Sequence, residues 1–220
     1  MEFQSYRIVF SKSGRIRFVG HLDLAQAFRR ALKRAKIPVK YSSGFNPHME
    51  FSIAMPLSLG MEGFGELLDI VVNNESEQFN ADKLDTALKT TVPNGIEILD
   101  VFILPTGAKS AAADLNSAEF SVFLQSFNDL SDINSKIEKT LTANEIIVTK
   151  KTKKAEALTD IRPDIFSLNA HETDGGIIVE MVISAGSNRN LKPNLVMEHL
   201  LPNELPSIKV KYTRTRLITN

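Results

Sequence analysis

Apolar and polar positions alternate over residues 5–10 (SYRIVF), a stretch rich in β-branched and aromatic side chains, which predicts a strand with one buried face. The period then changes. Leu24, Ala27, Phe28, Ala31, Leu32 and Ala35 recur at spacings of three and four, the mark of an amphipathic helix that Pro38 would end. Arg29, Arg30, Lys33 and Arg34 fall off that stripe, so the helix is apolar on one side and cationic on the other. Residues 51–59 and 66–72 read as two further strands, separated by a loop holding Gly60, Gly63 and Gly65. Asn80 is placed to cap a helix that uses Leu84, Ala87, Leu88 and Val92 and stops at Pro93-Asn94-Gly95. Residues 96–104 form the next strand.

After a small, polar, aperiodic stretch (PTGAKSAAADLN, residues 105–116) the order begins again. A strand at 119–125 precedes a helix at 131–141 with Ile133, Ile137 and Leu141 on one face. Residues 145–149, continued at 165–169, supply the next strand, and 177–183 the one after, entered through the Asp174-Gly175-Gly176 turn. Pro193 suits the first turn of a helix reaching Leu201, and 208–218 is the last strand. The expectation is an α+β protein made of two tandem ferredoxin-like (βαββαβ) halves with antiparallel sheets, residues 1–105 and 117–220, joined by a linker at 106–116.

Composition narrows the chemistry. With 220 residues, 43% of them hydrophobic, the chain can bury a real core. It has no cysteine, which excludes disulfides, thiol catalysis and any iron–sulfur cluster ligated by its own thiolates. No apolar run is long enough for a membrane span, and residues 1–14 lack the pattern of a signal peptide, so a cytoplasmic protein without membrane contact is expected. Net charge is zero, yet it is unevenly spread: from Lys12 to Lys40 there are nine basic residues and one acid, Asp23, a local excess of +8. Such a segment is either an electrostatic footprint for a polyanion or a solvated face balanced elsewhere.

Immediately after the cationic helix comes YSSGFNPHMEFS at residues 41–52. Ser42, Ser43 and Asn46 are short groups suited to phosphate and sugar oxygens, while Tyr41 and Phe45 offer faces on which unpaired bases can stack. With Arg15, Arg17, Arg29, Arg30, Arg34 and His48 these are the candidate RNA- or anion-binding residues; plain turn chemistry is the competing reading. His21, Asp23, His48 and Glu50 could serve acid–base chemistry, with His21 and His48 the catalytic candidates, although an acid opening a helix also has a structural reason to be there. No metal site is expected from them. Gly60, Gly63 and Gly65 are not a phosphate-binding P-loop, because no Gly-Lys-Ser/Thr follows; Glu66 beside them could point into a shared site. Lys150, Lys151, Lys153 and Lys154 form a second cationic run.

Several of these residues together carry a family likeness. Arg15, Arg17, Phe18, His21, Leu22 and Asp23; Phe28, Arg29, Arg30 and Ala31; Tyr41, Ser42, Gly44, Phe45, Pro47 and His48; and Gly65 with Glu66 resemble the motifs of the radical-SAM-linked domain family, whose function is unknown. The resemblance implies a partner: a cobalamin-binding radical SAM protein, to which such domains are fused or beside which they stand. Lacking cysteine, this chain would be the stand-alone companion. A weaker, architectural likeness is to the CRISPR repeat-processing endoribonucleases, but their glycine-rich loop before the last strand is here HLLPNELPS, without glycine. The leading expectation is therefore a non-catalytic accessory protein, needing no cofactor, that holds RNA (tRNA or rRNA) for a radical SAM enzyme. An acid–base RNA-processing enzyme and a purely protein-docking domain are the alternatives.

Overall fold

The computed structural model describes residues 3–73, 79–151 and 156–220. The chain divides into two compact units, one of Met1–Leu115 with Thr219–Asn220, the other of Asn116–Ile218. Both are mixed α+β with predominantly antiparallel pairing.

In the first unit β1 (Phe3–Lys12) leads through a 3-10 turn (Gly14–Phe18) into α1 (His21–Arg34), followed by β2 (Phe51–Ile53), β3 (Glu62–Asn73), α2 (Ala81–Lys89), β4 (Ile96–Ile103) and the short α3 (Ala111–Asp114). The strands lie in the order β4-β1-β3-β2, each antiparallel to its neighbour. Alternation along β1 puts Tyr6, Ile8 and Phe10 on one face, matched by Leu68, Ile70 and Val72 of β3, and this face meets Leu24, Phe28 and Leu32 of α1 and Leu84 and Leu88 of α2. Phe28 is fully buried, edge-on to Phe10 with ring centroids 4.7 Å apart. A side chain of that size stabilises the fold by about 1.5–3 kcal/mol.

Four stretches differ from what the sequence predicts. The helix stops at Arg34, before Pro38 could act. Lys36 adopts a left-handed φ of 53° while its N–H reaches the Lys33 carbonyl and that of Ile37 reaches Leu32, the paired bonds of a Schellman closure. The apolar run at 51–59 is a strand only over Phe51–Ile53: Pro56 has no N–H to donate, and the Met61 N–H turns back to the Ser58 carbonyl. β3 begins four residues early, at Glu62, because Gly63 continues the pairing opposite Lys12. The stretch read as a linker, 106–116, holds α3 and the start of the next strand, and Ala111 within it is fully buried.

The second unit runs β5 (Leu115–Gln125), α4 (Leu130–Thr142), β6 (Ile147–Lys151), β7 (Glu156–Asp160), β8 (Ile165–Thr173), β9 (Gly176–Ser184), α5 (Pro193–Leu200) and β10 (Lys209–Thr219). Its sheet has the order β10-β5-β9-β8. β8 and β9 meet at a two-residue turn in which Gly175 has φ 87°, a conformation that suits glycine. Residues 145–149 and 165–169 do not form one strand. β6 pairs instead with β7 as a separate hairpin, and β8 takes the edge of the sheet. Asp160 closes the hairpin base by accepting the N–H groups of Ile146 at 2.8 Å and Arg162 at 3.0 Å; those two bonds hold its carboxyl below the usual range. Of the second cationic run, Lys153 and Lys154 lie outside the described residues. Among the described residues no helix is long and apolar enough to cross a membrane.

Candidate functional site

The segment 41–50 is a hairpin-like turn with a defined closure. Tyr41 and Met49 form an antiparallel bridge, the Ser42 N–H donates to the His48 carbonyl at 2.9 Å, and the Glu50 N–H donates to Lys40 at 2.8 Å. The Ser42 hydroxyl completes the clasp: it lies 2.8 Å from His48 Nδ1 and accepts the His48 N–H at 3.1 Å. Met49 is buried and anchors the base. Ser43, Phe45 and Asn46 are exposed at the tip, where Phe45 lies wholly in water (106%), while Tyr41, at the closing bridge, is 45% exposed. No carboxylate occurs between Asp23 and Glu50, and the Glu50 carboxylate is 2.9 Å from the Lys40 ammonium, so the tip carries no competing negative charge of its own.

The candidate cations are not gathered in one place. Arg29 joins the turn indirectly, its guanidinium stacked 4.8 Å over the ring of Phe51, two residues beyond the hairpin base. Arg30 and Lys33 are exposed on α1 and in no ion pair among the described residues. Arg34 donates to the Thr91 carbonyl. Arg15 and Arg17 are elsewhere. The turn is fastened to the Asn73 end of β3 by the Lys40 N–H on the Val71 carbonyl, with Lys40 also 5.0 Å from the ring of Phe3. The 3-10 turn with Arg15 and Arg17 follows the other end of β1, at Lys12 opposite Gly63. Nine residues of strand separate those ends, about 30 Å at roughly 3.3 Å each. A single composite face of Arg15, Arg17 and the 41–48 turn is thus not what the backbone builds.

The two histidine candidates are divided by the same strand. His48 is exposed and bonded to Ser42, with no third group orienting it among the described residues. His21 opens α1 at the far end, its Nδ1 buried without a partner. His21 and Asp23 on one side, His48 and Glu50 on the other, therefore do not form a single site. Among the described residues no three His, Asp or Glu groups are arranged to hold a metal.

At the Lys12 end, Glu62, which nothing in the sequence singles out, and Lys12, expected only as part of the cationic segment, are buried near Glu66. Lys12 is 1% exposed and donates to the Val19 carbonyl at 2.7 Å; Glu62 is 6% exposed, accepts the Gly14 N–H at 3.2 Å and lies 3.5 Å from Arg17 Nη1. Glu66 is also buried, and the absence of a Cβ at Gly63 makes room for it: a methyl there would stand 2.5 Å from the Glu66 carboxylate. The signal for Lys12 was in the alternation, since it continues the buried series Tyr6, Ile8, Phe10. This polar cluster supports the 3-10 turn and the start of α1.

The fold defines a mixed α+β protein built on predominantly antiparallel pairing. The chain belongs to the family described as uncharacterized proteins conserved in bacteria (DUF2344), whose model matches residues 5–193. No curated protein matches it. Among solved structures it is similar to a chain of a Cbf5-Nop10-Gar1 complex, at 11% identity and a TM-score of 0.52 over 96% of this chain. The match spans about half (48%) of that longer chain, so the likeness concerns fold alone. A second, an unknown protein from Galdieria sulphuraria, aligns at 14% identity over 97% of this chain and 99% of that one, with a TM-score of 0.29.

Proposed function

We propose that this protein is a non-catalytic RNA-holding module in the cytoplasm, and that it presents RNA to a cobalamin-binding radical SAM partner. The observation that carries the RNA reading is the tip of the 41–48 turn. An aromatic ring left wholly in water at the tip of a clasped hairpin, with a second, part-exposed aromatic at the closing bridge, contributes no burial to the fold. Stacking an unpaired base on Phe45 or Tyr41 removes that exposure, and Ser43 and Asn46 supply hydrogen bonds to sugar or phosphate. Arg29, Arg30 and Lys33 on α1 add the cationic track that a strand leaving the tip would follow. Arg15 and Arg17, at the far end of β1, stand apart from this track. The partner assignment rests on the signature stretches from Arg15 to Glu66 and on the lack of any cysteine to ligate a cluster in this chain.

The same proposal takes each unit as ferredoxin-like. Supporting it are the order strand-helix-strand-strand-helix-strand in the first unit, its sheet order β4-β1-β3-β2, and the matching order β10-β5-β9-β8 in the second with the β6–β7 hairpin as an insertion.

Salt-titrated binding to labelled tRNA and rRNA fragments tests the module. Affinity should fall as salt rises, and the double variant Arg29→Ala/Arg30→Ala should make the slope shallower by about 0.7 for each single-strand phosphate that the arginines no longer neutralise. A salt-independent affinity, or one untouched by the double variant, would sink the RNA reading. Co-purification with the radical SAM protein before and after ribonuclease treatment separates RNA-bridged from direct docking.

A further inference from the structure

The exposed side of α1 joins the two ends that β1 keeps apart. At about 100° per residue, Leu22, Gln26, Arg29, Arg30 and Lys33 fall within an arc of about 100°, opposite the buried stripe of Leu24, Phe28 and Leu32. Asp23, the one carboxylate of the helix, lies just outside that arc, on the side of Arg34, whose guanidinium turns to the Thr91 carbonyl. The arc is therefore cationic over its C-terminal half, where Arg29 stacks on Phe51 beside the hairpin base, and uncharged at Gln26 and Leu22.

Just before the N-terminal end of the helix stands a second aromatic ring in water. Phe18 closes the 3-10 turn and is 62% exposed, although the Arg17 guanidinium lies 4.8 Å from its ring centroid. Gly60 donates its N–H to the Arg17 carbonyl at 3.0 Å, and a Cβ on it would stand 3.7 Å from the Phe18 ring, so Leu59 is held close by. Leu22 and Leu59 are exposed further still, at 79% and 67%. Arg15 is also exposed and in no ion pair among the described residues. A ring in water with arginine beside it is what the hairpin tip presents at the other end of the same helix.

We propose that one RNA single strand lies along α1, with one base stacked on Phe45 at the hairpin tip and another on Phe18. Its phosphates pass Lys33, Arg30 and Arg29 and end at Arg15. This rests on the RNA reading of the tip and extends it, because the ligand becomes an unpaired segment long enough to reach both rings. The ends of β1 are about 30 Å apart, so a stacked strand at about 3.4 Å per nucleotide needs about nine nucleotides, and a drawn-out one fewer. A row of cations between two open rings matches a polyanion that carries a flat apolar group on every unit. A duplex does not match it, since paired bases have no free face for either ring.

Calorimetric titration of the full chain with a dodecameric oligouridylate tests the path. One strand should bind per chain. Phe18→Ala should weaken it by about 5- to 150-fold, the worth of one stacked base, with the melting temperature kept because the ring stands mostly in water. Arg15→Ala gives a separate reading: its salt slope should be shallower by about 0.7. If the oligouridylate does not bind at all, the RNA reading and this extension fall together. If binding depends on Phe45 but is untouched by Phe18→Ala and Arg15→Ala, or if two strands bind per chain, the tip reading stands and the extension is overturned. It is overturned equally if Phe18→Ala spares the oligouridylate but releases the radical SAM protein in co-purification, which would make the Phe18 end a protein-docking surface.

Discussion

Replacing Asp69 with alanine should be one of the most damaging single changes in the first unit. Asp69 pairs in register with Arg7, and its carboxylate accepts from Arg7 Nε at 2.8 Å and Nη2 at 3.1 Å, with both side chains nearly buried. It also accepts the N–H of buried Ala111 at 2.6 Å, while Arg7 reaches the Lys109 carbonyl at 3.2 Å. The alanine variant leaves a guanidinium buried without its counter-charge, a loss of about 3–5 kcal/mol. It also strands the Ala111 N–H, worth about 1–3 kcal/mol more. Against a total stability of about 5–15 kcal/mol this is a large fraction. At about 2–4 °C per kcal/mol for a chain of this length, the melting temperature should drop by about 8–32 °C. Urea denaturation with limited proteolysis across residues 105–111 is the assay, since that segment should become cleavable before the rest of the unit. Asp69→Asn, which keeps an acceptor for Ala111, should lose less, and so should the paired apolar change Arg7→Met/Asp69→Leu. A melting shift within about 3 °C for Asp69→Ala, or a double variant worse than the single, would refute this account of the buried pair.

Two further outcomes follow from exposure and burial. Phe45→Ala removes a ring that touches only water, so folding stability should change by no more than about 0.5 kcal/mol, while affinity for single-stranded RNA should fall by the about 1–3 kcal/mol of one stacked base; equal RNA affinity in an anisotropy titration would remove Phe45 from the interface. Burial, with a smaller push from Glu198, raises the Tyr212 phenol to about 12. Because the unfolded phenol ionises near 10, the stability it contributes is complete below that pH and is lost as pH rises toward 12. Tyrosinate absorbance should show a late-titrating phenol that disappears in Tyr212→Phe.

Periodicity made most of the architecture readable, because α1 and α4 each bury one stripe and β1 sets Tyr6, Ile8 and Phe10 toward the helices. What it missed depended on partners far away in the chain. Nothing local in PTGAKSAAADLN tells of Asp69, forty-two residues earlier, which fixes Ala111 in place. The run ending in Leu59 looked like a long strand because apolar residues and strands are hard to separate when a proline lies among them. For the site, the composition of the 41–48 turn was visible, but its distance from Arg15 and Arg17 follows from strand register, which no count of charges contains. Lys12 and Glu62 escaped for the opposite reason. Charged residues are expected outside, and only the continuing alternation placed Lys12 within the core.

The Ser42–His48 clasp has a kinetic meaning as well. A recognition loop that must order itself as its ligand arrives spends part of its binding energy on lost freedom and associates slowly. Here two backbone bonds and two bonds of the Ser42 hydroxyl close the loop in the free protein. The tip is therefore assembled before any encounter. Ser42→Ala should leave the rings of Tyr41 and Phe45 in the molecule yet deprive them of a fixed orientation, so that what changes first is the rate of capture rather than which groups touch the ligand.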